Sequence, residues 1–120
     1  MKAKMKMIKT VFIVDDDADV RESLSDALGE AGYTVLLASN GKEAFDLLPT
    51  LKRPCAILLD ITMPVMNGIE FHKAMRAATD WDDIPVLIST SDPASAPKGL
   101  PVMKKPVSLA SLLTRVAALF

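Results

Sequence analysis

Apolar residues fall along this chain in two rhythms. Short unbroken runs, Val11-Phe12-Ile13-Val14 and Cys55-Ala56-Ile57-Leu58-Leu59, stop abruptly at acids, Asp15-Asp16-Asp17 and Asp60. A run without alternation reads as a strand buried on both faces, as in a parallel sheet. Between the runs, apolar residues recur at helical spacing. Val20, Leu24, Ala27, Leu28 and Ala31 form one such stripe, with Arg21, Glu22, Ser25 and Asp26 on the other side. In chain order the pattern predicts a strand over Thr10–Val14, then a helix capped by Asp17 or Asp19 and stopped at Gly32. A second strand covers Thr34–Ala38, and Asn40-Gly41 opens a helix with Ala44, Phe45, Leu47 and Leu48 inward. The third strand is Cys55–Asp60, and past Asn67-Gly68 comes a helix bearing Ile69, Phe71, Met75 and Ala78. A fourth strand spans Ile84–Ser89 and ends at Thr90. A short fifth, Val102-Met103, ends at Lys104-Lys105-Pro106. The last helix runs from about Ser108, its N-cap, through Leu109, Leu112, Leu113, Val116, Leu119 and Phe120. Such alternation implies an α/β protein with a doubly wound, five-stranded parallel sheet covered by helices on both faces.

In such a sheet the chemistry collects just outside the carboxyl ends of the strands. Four strands deliver polar residues there: Asp15 and Asp16, Asp60, Thr90 and Lys105. Crowded carboxylates are costly unless something positive sits among them. Oxygen donors favour a small hard cation such as Mg²⁺. A strand-end carboxylate, already ionised at neutral pH, can act as a nucleophile and form an acyl phosphate. The metal and a lysine would offset charge on the transferring oxygens, and a hydroxyl would add a hydrogen bond. Each residue also has a plainer use. Asp17 is explained as a helix cap and ranks below Asp15 and Asp16. Lys105 could be a solvated strand-end lysine, as Lys104 beside it is, and Thr90 could be a capping hydroxyl among Ser89 and Ser91. His72, the single histidine, lies on a helix and reads as a surface or packing residue.

Composition narrows the classes. With 120 residues, half of them hydrophobic, one domain with a real core is expected. Net charge is −1, from 14 basic and 15 acidic residues, so no basic excess points to nucleic acid. No apolar run approaches the ~18 residues of a membrane span. Residues 1–9 form a lysine-bearing leader without a signal peptide's apolar core. The one cysteine, Cys55, excludes an internal disulfide and fits a reducing compartment, so a cytoplasmic protein is expected.

Taken together, Val14-Asp15-Asp16, Leu59-Asp60 followed by Met63-Pro64 and Asn67-Gly68, Pro85 leading to Thr90, and Lys105-Pro106 resemble the receiver domain of two-component response regulators. The resemblance covers nearly all of residues 10–120 and implies a CheY-like, flavodoxin-like sheet in the order 2-1-3-4-5. It implies that Asp60 accepts a phosphoryl group from a histidine kinase or phosphotransfer protein. Mg²⁺ would be held by Asp15, Asp16, Asp60 and the backbone carbonyl of Thr62. Thr90 would sense the phosphoryl group, Lys105 would pair with it, and Pro106 would fix the lysine's turn, commonly through a cis bond. Such a domain is a switch that catalyses its own phosphorylation and dephosphorylation, not an enzyme with a released substrate. With no output segment in view it is expected to act through a partner, as a relay intermediate, or as a fragment of a longer protein. The alternative is a receiver-fold interaction module that works without phosphorylation. A phosphohydrolase with Asp15 as nucleophile is disfavoured, because Ala18-Asp19-Val20 opens a helix where such enzymes carry small and hydroxyl residues.

Two features depart from the family. Ser91–Pro101 contains Pro93, Pro97, Gly99 and Pro101. Proline inside a helix costs ~3 kcal/mol or more, so the fourth helix, between strands four and five, is expected to be missing or reduced to a single turn started by Asp92-Pro93. Val102 stands where the resemblance implies an aromatic residue that swings inward on activation; valine is stiff and has no ring. Loss of the helix is expected to uncover apolar surface near strands four and five, which a partner or a second copy, in a homodimer, would cover.

Overall fold

The computed structural model describes residues 7–120, so the first six residues of the leader lie outside it. Five strands, β1 (Thr10–Val14), β2 (Thr34–Ala38), β3 (Cys55–Leu59), β4 (Val86–Thr90) and β5 (Val102–Lys104), form one parallel sheet in the order β2-β1-β3-β4-β5. Four helices connect and cover them: α1 (Ala18–Glu30), α2 (Gly41–Leu47), α3 (Gly68–Ala77) and α4 (Leu109–Ala117). Strand residues alternate between two cores. Phe12, Val14, Ile57, Leu59, Val86 and Ile88 meet α2 and α3 through Ala44, Phe71 and Met75. Val11, Ile13, Leu58, Leu87 and Met103 meet α1 and α4 through Leu24, Leu28, Leu112 and Val116. Every residue of β1, β3 and β4 is buried, which explains the unbroken apolar runs.

The helix starts are chemically specified. Asp17 accepts from the Asp19 and Val20 N–H groups, Asn40 from Glu43 N–H, and Ser108 from Ser111 N–H. Asn67 and Glu70 form a reciprocal capping box at α3. Each cap is worth about 1 kcal/mol. Gly32, past the end of α1, has φ +98°, the left-handed conformation in which glycine carries no Cβ penalty.

Between β4 and β5 only one 3-10 turn forms, Pro93–Ser95, with Asp92 before it, in agreement with the proline content. On the α2–α3 face the expected uncovered surface is not found. All of β4 is buried, and Ala96 and Leu100 of the loop pack with Val102 on the α2–α3 core. The large exposed apolar side chains among the described residues are Met7, Ile8, Leu37, Val65, Leu109 and Phe120. A homodimer through the strand 4/strand 5 face thus loses the feature that motivated it. Leu109 is exposed at the first turn of α4.

Val65, in the β3–α3 loop, has φ +69° and is 79% exposed. A β-branched residue there is strained by about 1–2 kcal/mol and gains little burial in return. Asparagine tolerates this conformation. Val65→Asn is therefore expected to stabilise the domain by about 1 kcal/mol, a rise in Tm of a few degrees. An unchanged or lower urea midpoint would show that the loop adopts another conformation.

Candidate functional site

β1 and β3 are adjacent and in register, with Val14 opposite Leu59. The next residue on each strand is an acid, so Asp15 and Asp60 emerge side by side. The ladder continues past the formal end of β3, because Asp60 N–H donates to the Val14 carbonyl at 2.9 Å. Asp15 N–H likewise donates to the Ala38 carbonyl at 3.1 Å. Both carboxylates are thus held on sheet backbone and are buried, at 3% and 6% exposure. Asp16 is exposed at the rim. Carboxylate oxygens of Asp15, Asp16 and Asp60 all lie within 4.8 Å of one another.

β5 brings the cation. Lys105 N–H donates to the Thr90 carbonyl at 2.8 Å, fixing the turn after β5 against the end of β4. The Lys105 ammonium donates to Asp15 Oδ2 at 2.7 Å and lies 3.6 Å from Asp60 Oδ2. Lys104 pairs with Thr90 in the ladder and is exposed, so of the two lysines Lys105 is the one delivered to the acids. The Lys105–Pro106 peptide bond is cis, as is Arg53–Pro54, which the sequence did not suggest.

The charges perturb one another. Burial pushes the Asp60 carboxyl above its usual range, and the Asp15 charge adds to this, while Lys105 and the Ile61 N–H oppose it. Burial pulls the Lys105 ammonium down. The hydrogen bond and charge of Asp15, together with the charge of Asp60, outweigh it and leave the ammonium above its ordinary value. One lysine therefore does not fully neutralise three acids. Asp15 is engaged on both oxygens, by Lys105 and by Asp17 N–H at 2.9 Å. An all-oxygen donor set with residual negative charge fits a hard divalent cation better than a second protein cation.

Thr90 is buried and follows Ile88, which pairs with Leu59, so it stands at the same sheet edge. Its hydroxyl accepts from Asp92 N–H at 3.1 Å, which ties it to the start of the following loop. Ser89 faces the opposite side of the sheet and Ser91 is exposed. Thr62 is exposed in the β3–α3 loop. His72 accepts from the Arg76 guanidinium at 3.2 Å on α3, a packing role. Two contributors were not foreseen. Arg21, placed on the polar side of α1, donates to the Asp15 carbonyl at 2.6 Å and ties the helix to the acidic loop. Gly68 N–H donates to the Ile61 carbonyl at 2.8 Å, resting α3 directly on the backbone beyond Asp60.

Comparison with known proteins agrees with this geometry. The response regulator receiver domain model matches residues 11–117. Response regulator MprA of Mycolicibacterium vanbaalenii is 39% identical over 116 residues, covering 91% of this chain and 49% of that protein. The chain thus spans about half the length of the curated relatives it matches. Chemotaxis protein CheY4 of Vibrio cholerae superposes with a TM-score of 0.84 at 29% identity, covering 95% of this chain and all of that one. Response regulator TrrA of Thermotoga maritima, solved in complex with Mg²⁺-BeF, gives a TM-score of 0.82 at 25% identity over 94% of this chain and all of that one. Strand order, strand-end acids and matched length lead to one assignment: the chain belongs to the response regulator receiver domain family.

Proposed function

We propose that this chain is a phosphoacceptor switch in which Asp60 takes a phosphoryl group from a phosphohistidine on a histidine kinase or phosphotransfer protein, and that a partner protein reads the result. The observation that carries this reading is the meeting of three carboxylates within 4.8 Å beside the Lys105 ammonium. An Asp60 carboxylate oxygen attacks phosphorus, the P–N bond to the donor imidazole breaks, and the released imidazole takes up a proton. The product on this chain is an acyl phosphate. Mg²⁺, held by Asp15, Asp16, Asp60 and the Thr62 carbonyl, would supply charge neutralisation for the phosphoryl oxygens. Lys105 sits 3.6 Å from Asp60 and can turn from Asp15 toward a phosphoryl oxygen. The Thr90 hydroxyl accepts from Asp92 N–H and keeps its own O–H proton to donate to the phosphoryl group. TrrA of Thermotoga maritima, similar over nearly the whole chain, was solved in complex with Mg²⁺-BeF, and the three acids here offer oxygen donors suited to such a cation.

Intact mass after incubation with acetyl phosphate and Mg²⁺ tests the reading. One added phosphoryl group is expected, suppressed by a chelator and released by hydroxylamine, as an acyl phosphate must be. Absence of both an adduct and beryllofluoride binding would leave the receiver-fold interaction module as the better description.

A further inference from the structure

We propose that the cavity between α1 and the start of α4 is a binding site for a small neutral molecule with an apolar body and one hydroxyl or amide group. The cavity measures about 590 Å³, within the range of ~300–1,000 Å³ usual for small-molecule sites. Val20 and Leu24 line it from α1, and Pro106, Val107 and Leu109 from the β5–α4 junction. Its buried side is Ser89 of β4.

Ser89 is what makes this more than a crevice. The other strand residues packed on this face, Val11, Ile13, Leu58, Leu87 and Met103, are all apolar. Ser89 alone is polar; it is 2% exposed, and its Oγ has no hydrogen-bond partner among the described residues. A buried hydroxyl left unpaired costs folding free energy, and a polar group bound in the cavity would return it once the enclosed Ser89 Oγ rotates about χ1 to face that group. The remaining lining argues for a neutral ligand. Asp19 and Lys105 both border the cavity with opposite charges, and the Lys105 ammonium is already committed to Asp15. Only the lysine's aliphatic stem is free to face an occupant. The inference rests on the cavity and Ser89, and does not require that Asp60 be phosphorylated.

Benzyl alcohol and toluene, alike in body and differing in the hydroxyl, are suitable probes, titrated against the ¹⁵N-labelled chain by NMR. Saturable shifts clustered on Val20, Leu24, Ser89 and Val107 are expected, with benzyl alcohol binding about threefold to tenfold more tightly than toluene. Ser89→Ala is expected to erase that difference and leave toluene unchanged. Ser23→Trp, at an exposed position on the rim, is expected to abolish saturation by both probes without touching the core. Shifts that rise linearly, scatter over the surface, or persist unchanged in Ser23→Trp would overturn the site. Equal affinity of the two probes for the unmodified chain would overturn the role of Ser89 and the ligand class built on it.

Discussion

Replacing Asp60 by asparagine is expected to reduce the phosphoryl adduct to background while making the unphosphorylated domain more stable. The first effect follows from chemistry: an amide oxygen is not the anionic nucleophile that forms an acyl phosphate. The second follows from burial. Asp60 is 6% exposed and shares its site with Asp15 and Asp16. Its carboxyl is raised first by loss of solvation and then by the Asp15 charge. Lys105 compensates only in part, since it bonds Asp15 at 2.7 Å and stands 3.6 Å from Asp60. Asparagine keeps an oxygen to accept from Ile61 N–H and removes the charge. A gain of about 1 kcal/mol in a chelated buffer is expected.

The pH dependence fixes the sign. A carboxyl whose folded pKa is raised is protonated in both states at low pH, where it carries no penalty. As pH rises, the unfolded chain ionises first, and stability falls until folded Asp60 ionises as well. The gain in Asp60→Asn should therefore be small at the acid end and open between the ordinary carboxylate pKa and the raised one. Urea unfolding from acid to neutral pH measures it. A variant less stable than the parent at neutral pH would show that Lys105 already compensates Asp60 fully.

Much of this site is legible in the amino-acid order because its parts are local. An apolar run that stops at an acid places that acid at a strand end. Capping by Asp17, Asn40 and Ser108 is written within three or four residues of each helix start. Pro85 illustrates a boundary that was harder to place. It has no N–H for the ladder, though its carbonyl accepts from Ile57 N–H at 2.9 Å, so β4 opens at Val86 and not at Ile84. What the order of residues hides is contact made at a distance. Arg21 lies on the polar side of its helical stripe, yet its long side chain turns back to the Asp15 carbonyl. Ser89 alternates onto the α1–α4 face, but whether those helices close over it depends on where the Pro106–Leu109 turn sits. The bare patch expected beside β4 is missing from the α2–α3 face for the same reason. Proline content forbids a helix there, but says nothing against Ala96 and Leu100 reaching the core from a loop.

Gly68 is the sharpest case of a contact that spacing cannot show, and Gly68→Ala is expected to be among the most damaging substitutions of a single methyl group. A Cβ on Gly68 would stand 2.2 Å from the Asp60 carbonyl oxygen and 2.9 Å from the Ile61 Cα. Both are backbone atoms, so no side-chain rotation relieves the overlap. Conformational freedom is not the issue: Gly32 and Gly99 are the glycines with positive φ, and Gly68 is not among them. Alanine must instead lift the start of α3 off the strand end, stretching the bond from Gly68 N–H to the Ile61 carbonyl, now 2.8 Å. Overpacking of this kind costs ~1–3 kcal/mol, and the weakened hydrogen bond adds about 1 kcal/mol. A total near 3 kcal/mol is expected in urea unfolding. Because the new Cβ also presses on the backbone of Asp60 and Ile61, phosphorylation by acetyl phosphate should also slow, by about 100-fold if the strand end shifts near 1 Å. Gly29→Ala is the control. A Cβ there meets nothing within 4 Å, and the residue lies in the last turns of α1. Alanine should stabilise that helix by about 0.5–1 kcal/mol and leave the phosphorylation rate unchanged. Similar stability of the two variants would mean that α3 does not rest on the backbone of Asp60. A destabilised Gly68→Ala that still phosphorylates at the parental rate would mean that the strand end holds its place and the helix alone gives way.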